Sequence, residues 1–71
     1  MKSPGLQELF LSTMSRERIP ATFFLVNGFQ LRGLVKAFDD YTVVVECGAE
    51  QELIFKHAIS TIIPIRHVQL D

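Results

Sequence analysis

The chain has one cysteine, no tryptophan, and only four glycines and three prolines among its 71 residues. A lone thiol, Cys47, excludes a disulfide framework, and with two histidines far apart in sequence it makes no metal-ligand cluster. No metal and no cofactor are therefore expected. Long apolar runs are also missing. None approaches the roughly 20 residues that span a bilayer, so no membrane partner is expected. Gln7 and Glu8 interrupt any basic-then-apolar leader at the start of the chain, which together with the single thiol points to a cytoplasmic protein. A strong excess of one charge is absent too: seven Lys+Arg stand against eight Asp+Glu, for a net charge of −1. Taken alone, that balance speaks against a broadly basic nucleic-acid surface, but it leaves open where the charges lie.

What the chain does have is apolar residues, 48 % of the total, which excludes disorder. The length fits one domain over residues 1–71, with a core small enough that oligomerisation is a natural source of stability. The charges are segregated. Residues 37–52 carry Asp39, Asp40, Glu46, Glu50 and Glu52 and no base, whereas residues 53–70 carry Lys56 and Arg66 and no acid. A neutral chain of this kind can fold with a basic face.

Ser3-Pro4 reads as a helix start, Ser as N-cap and Pro in the first turn. Leu6, Phe10 and Met14, with Leu9 beside them, predict one apolar stripe on a helix over residues 5–17, and Leu11 lies off it. Glu8 near the start and Arg16 and Arg18 near the end suit the helix dipole, and Pro20 prevents continuation. From residue 21 the chain turns aromatic and β-branched. Strands are predicted over 21–26, 29–38, 41–47, 51–56 and 61–65. Asn27-Gly28 predicts a two-residue hairpin, Asp39-Asp40 and residues 48–50 predict turns, and residues 57–60 a short connection. In the second strand Phe29, Leu31, Val35 and Ala37 are assigned to one face and Gln30, Arg32 and Lys36 to the other. Gly33, mid-strand, marks a bend or a close backbone approach, so that one strand serves two halves of a sheet. The fold class is thus mainly β with one N-terminal helix: a strongly bent five-stranded antiparallel barrel over residues 21–65 and a short end at 66–71.

Catalytic chemistry is hard to find. Asp39 and Asp40 are adjacent, so on a strand they would face opposite ways, and they read as turn residues. Cys47 and His57 lack a third orienting group. No glycine-rich phosphate loop is present. The chain is expected not to be an enzyme.

Two stretches carry a sharper signal. One is Leu25-Val26-Asn27-Gly28-Phe29-Gln30-Leu31-Arg32-Gly33 followed by Phe38-Asp39, and the other is Phe55-Lys56-His57-Ala58-Ile59-Ser60-Thr61. Behind a helix containing Leu6-Gln7 and Phe10-Leu11, this order over residues 6–64 closely resembles the Hfq family of bacterial Sm-like RNA chaperones, in the form found in Gram-positive lineages. The resemblance implies the Sm-like fold, a homohexameric ring joined strand four to strand five, and binding of single-stranded RNA in small RNAs and mRNAs. Ring closure would cover the open edges of so small a sheet.

The resemblance also implies three RNA surfaces. The proximal one, for U-rich strands, would use Gln7, Asp39, Tyr41, Lys56 and His57. An aromatic such as Tyr41 stacks on an unpaired base, Gln7 both donates to and accepts from a base edge, and Lys56 and His57 reach base, phosphate or ribose oxygens, while Asp39 braces the turn. Taken singly, each of these residues reads as an ordinary barrel, turn or helix position. Their joint occurrence at the family's spacing carries the assignment. The distal surface, for A-rich strands, would use Phe24, Asn27, Gly28, Phe29, Gln30, Leu31, Arg32 and Thr61, with Phe24 and Phe29 as aromatic platforms. Alternation lets only one of Phe23 and Phe24 point inward without saying which, and the resemblance selects Phe24 for RNA. The rim would use Arg16 and Arg18, although a solvated helix end explains them equally well, and Ser15 and Glu17 dilute their charge, so weak annealing is expected. Asp40 and Glu52 depart from the common family pattern and are expected to alter base preference. The chain ends at Asp71, so tail-dependent functions are not expected. The alternative reading is a small-barrel protein-assembly module that binds no RNA.

Overall fold

The computed structural model describes residues 5–70. The expected Ser3-Pro4 helix start lies outside the described residues. The elements run α1 (Leu6–Arg16), β1 (Ala21–Leu25), β2 (Gln30–Phe38), β3 (Thr42–Cys47), β4 (Glu50–Phe55), a 3-10 turn (Lys56–Ala58) and β5 (Ile59–Pro64). The strands form one antiparallel sheet in the order β4-β3-β2-β1-β5. This is the expected architecture, with one qualification. Within a single chain β4 and β5 are the two edges and are not neighbours, so the bent sheet stays open.

β2 makes the bend. Its first residues pair with β1, as in Ala21 opposite Gly33, and its later residues pair with β3, beginning with Leu34 opposite Glu46. Gly33 sits at the changeover, where a Cβ would collide with the backbone carbonyl oxygen of Glu46. Only glycine lets the two backbones approach so closely.

The alternation assigned to β2 fails at Ala37, which is exposed. Pairing shifts between Val35 opposite Val45 and Ala37 opposite Val44, so Lys36 is the extra residue of a bulge. One inserted residue swaps the faces beyond it. Phe38, opposite Val43, thereby packs against the core in Ala37's stead. Phe29, also assigned to the strand, precedes it and is exposed.

The helix stripe is also rotated from its expected place. Leu11, Thr13 and Met14 are buried, whereas Leu6 is 70 % exposed. The buried line runs through Leu11 and Met14, with Leu9 and Phe10 half-buried beside it, and Gln7 one turn back is exposed. Leu6 lies to one side of it. The core gathers Leu11, Met14, Ile19, Phe23, Val35, Val43, Val45 and Ile54, with Val68 from the segment after β5. Helix α1 ends in a Schellman motif before Pro20 can act. The Ile19 amide donates to Met14 O at 3.0 Å, the Arg18 amide donates to Ser15 O at 3.3 Å, and Ile19 and Met14 are both buried. Arg18 takes φ 52 there, the left-handed region, in a position where glycine is usual.

Candidate nucleic-acid interface

The first cluster forms where turns meet at one end of the sheet. Asp39 Oδ1 alone accepts three hydrogen bonds, from the Tyr41 amide at 2.9 Å, the Thr42 amide at 2.8 Å and Thr42 Oγ1 at 2.8 Å. These bonds, led by that from the Tyr41 amide, hold the Asp39 carboxyl below its ordinary range, and the Lys56 ammonium adds a smaller pull. The Lys56 amide in turn donates to the Tyr41 carbonyl at 2.8 Å. The β2–β3 turn and the 3-10 turn are therefore locked together. Lys56 Nζ sits 5.5 Å from the centre of the Phe38 ring, within cation–π range. A depression of about 210 Å³ beside it is lined by Gly5, Gln7, Glu8, Phe38, Asp39, Asp40 and Lys56.

Of the five proximal candidates, then, Gln7, Asp39 and Lys56 share one depression. Tyr41 and His57 do not line it. Tyr41 projects from the turn at 76 % exposure, tied to Lys56 through the backbone. His57 lies on the Phe55 ring, with centroids 5.7 Å apart and planes 14° apart. Phe38 and Phe55 escaped the reading of the sequence as site residues. Each is an aromatic at a strand end immediately before a charged turn residue, and that juxtaposition is the signal that could have found them. Asp40 lines the same depression and adds negative charge to it.

The second cluster is set by strand register. Phe24 on β1 lies opposite Thr61 on β5 and opposite Gln30 on β2, so Thr61, Phe24 and Gln30 form one row across three strands. Phe23 is fully buried, which places the alternating Phe24 on the outer face and resolves the pair that the sequence left open. The next outer row is Ile63, Thr22 and Arg32, where Arg32 Nε donates to Thr22 Oγ1 at 3.4 Å. Leu31 is not part of this face. It lies opposite Phe23 and packs against the core.

The hairpin beside these rows differs from the expected two-residue turn. The Leu25 amide donates to Phe29 O at 2.9 Å and the Gly28 amide to Leu25 O at 3.0 Å, so three residues, 26–28, form the loop. Gly28 has φ 95, while Asn27 instead uses Oδ1 to accept from the Phe29 amide at 3.0 Å. A side-chain acceptor at Asn27 and one left-handed glycine suit a three-residue loop. Phe29 closes the loop and is 70 % exposed. It pairs across from Leu25, one position away from the Phe24 row. Glu52 lies on β4, opposite Val45 and separated from β1 by two strands. With Glu50 it adds to the effect of burial in raising the Cys47 thiol above its ordinary range.

The rim candidates stand at the end of α1. Arg16 closes the helix, Arg18 lies just past it, and Glu17 between them pairs with both Arg16 and Arg66.

A helix over a sharply bent five-stranded antiparallel sheet, with two unpaired edges, is an Sm-like fold. The model of the Hfq protein family matches residues 6–69. The RNA-binding protein Hfq of Halalkalibacterium halodurans is 54 % identical over 68 residues, covering 96 % of this chain and 87 % of that protein. That of Oceanobacillus iheyensis is 53 % identical over 70 residues, covering 99 % and 95 %. A crystal structure of the pleiotropic translational regulator Hfq superposes with a TM-score of 0.80 at 36 % identity, covering 83 % of this chain and 98 % of that one. The chain belongs to the Hfq family.

Proposed function

We propose that this chain is an RNA chaperone, one Sm-like domain that assembles into a cytoplasmic homohexameric ring and has no catalytic activity. It binds U-rich single strands around Gln7, Asp39, Tyr41, Lys56 and His57. It binds A-rich strands on the outer face carrying Phe24, Gln30, Arg32 and Thr61, with the Asn27–Leu31 hairpin at its margin. Small regulatory RNAs and mRNAs are its substrates. The observation that carries this reading is the convergence of Gln7, Asp39 and Lys56 on one depression whose two turns are hydrogen-bonded together. A structural module has no need of that arrangement, and the curated relatives are named RNA-binding proteins. No helix among the described residues is long and apolar enough to cross a membrane.

Ring assembly is supported by the edges. β4 carries exposed Leu53 and Phe55, and β5 with the residue after it carries exposed Ile63 and Ile65. Unpaired apolar edge strands favour joining to a second copy. A separate groove of about 510 Å³ lies between α1 and β5, with Ile59, Ile62 and Lys56 in its wall.

The test is fluorescence anisotropy with oligo-U and oligo-A. Lys56→Ala is expected to weaken oligo-U and spare oligo-A, and Phe24→Ala or Phe29→Ala to do the reverse. Equal losses on both ligands would undo the two-surface assignment. Absence of binding to either would leave the protein-assembly module as the better account.

A further inference from the structure

At the end of α1 a single carboxylate holds two arginines that come from opposite ends of the chain. Glu17 Oε1 accepts from Arg66 Nη2 at 3.2 Å, and Glu17 Oε2 lies 3.7 Å from Arg16 Nη2. Each carboxylate oxygen faces a different guanidinium, so the two cations bracket one anion position. All three side chains remain open to solvent, Arg16 at 67 %, Arg66 at 56 % and Glu17 at 38 %. Arg66 is not on a loose end. The Ile65 amide just before it donates to the Pro20 carbonyl at 3.0 Å, and Val68 just after it is buried in the core. The segment past β5 therefore presents Arg66 beside the helix end by packing.

Arg18 adds a third exposed cation beside this pair. It is the one non-glycine residue with positive φ among the described residues, at a helix C-terminal position that glycine fills best.

We propose that Arg66 completes a phosphate-binding rim with Arg16 and Arg18, and that Glu17 occupies its anion position as an internal competitor until an RNA backbone displaces it. The inference rests on the RNA-binding reading above and adds a residue and a control to it. Carboxylate and phosphodiester both present oxygen pairs that guanidinium groups bind. Ion pairs as exposed as these are weak, so a strand offering several phosphates in succession displaces one carboxylate. The rim then engages long RNAs during annealing while contributing little to short oligomers held elsewhere. Glu17 sets its strength.

The experiment measures annealing of two complementary RNA strands by stopped-flow fluorescence, at low and at high salt, on the intact protein. Oligo-U and oligo-A affinities are measured alongside. Glu17→Gln is expected to speed annealing about two- to fivefold at low salt, and Arg66→Gln to slow it by a similar factor. Arg66→Lys should keep most of the rate. The Glu17→Gln gain should shrink when Arg66→Gln is added, and all differences should fade at high salt. The oligomer affinities should stay at wild-type values. If Arg66→Gln lowers the melting temperature yet leaves annealing unchanged in both backgrounds, the pair is only a strap and the proposal is overturned. Annealing at the protein-free rate in the wild type and in every variant overturns it as well. Loss of oligo-U and oligo-A binding by the wild type would instead contradict the RNA-binding reading itself.

Discussion

The depression around Lys56 and the outer face around Phe24 are built from the same sheet by opposite means. The depression is concave and charged, and it is made by turns: Asp39 organises one, the Lys56 amide bolts it to the other, and Phe38 supports the ammonium from below. The outer face rests on strand pairing, with the hairpin loop only at its margin. Strand register alone aligns Thr61, Phe24 and Gln30, and the row is neutral. The contrast teaches that a bent sheet gives one short chain a rim of turns and a patterned face at once. On the proposed reading, charge and hydrogen bonding are expected to dominate RNA binding at the first, and stacking at the second.

The most damaging change to this comparison is Gly33→Ala, since β2 serves both regions and bends at that residue. A methyl group there meets the Glu46 backbone, which cannot rotate away as a side chain would. The expected loss is about 3 kcal/mol or more in urea unfolding, with both RNA affinities falling together. Next in size are the changes that separate the two regions. Lys56→Ala removes a charged donor worth about 1.5–3 kcal/mol, or roughly ten- to a hundredfold in oligo-U affinity. Phe24→Ala removes a stacking platform worth about 1–3 kcal/mol per base on the A-rich side. Equilibrium titrations of both variants with both oligomers check the pair.

Two smaller changes sharpen the picture. Arg18→Gly relieves a left-handed backbone, and unfolding is expected to show a gain of about 1 kcal/mol, with annealing slowed as a cation leaves the rim. Asp39→Asn addresses the depression alone. Because hydrogen bonds lower the folded Asp39 below its ordinary value of 3.8, its contribution is present in full above that pH. It is lost as pH falls through the lowered folded value. The Asn variant should therefore show a flatter acid limb in a stability-versus-pH series, with its largest deficit at neutral pH. An unchanged acid limb would mean that the Asp39 turn is not coupled to folding.

The sequence made the order of elements legible because strong turn signals separate the first four strands, and Gly33 announced the bend. Three features stayed hidden, each for a physical reason. The Lys36 bulge leaves no local mark, yet it turns Phe38 inward under Lys56. The stripe predicted through Leu6 is rotated because leucine counts as apolar wherever it stands, whereas burial falls on Leu11, Thr13 and Met14, and only packing reveals it. The hairpin at Asn27-Gly28 became a three-residue loop because Asn27 spends its side chain on the Phe29 amide and stays out of the left-handed region. The candidate residues themselves come from the family resemblance. Their grouping does not: Leu31 faces the core, Tyr41 and His57 stand outside the depression, and Arg66 joined the rim only through the Glu17 pair.

The central claim, charge on one side and stacking on the other, is tested most directly by a salt series of oligo-U and oligo-A binding side by side. With one phosphate contact from each of six Lys56 side chains, the oligo-U log–log slope should be about −4. The oligo-A slope should be clearly shallower, and Lys56→Ala should flatten the first and leave the second alone. Equal slopes for the two ligands, or an oligo-U affinity indifferent to salt, would contradict the account.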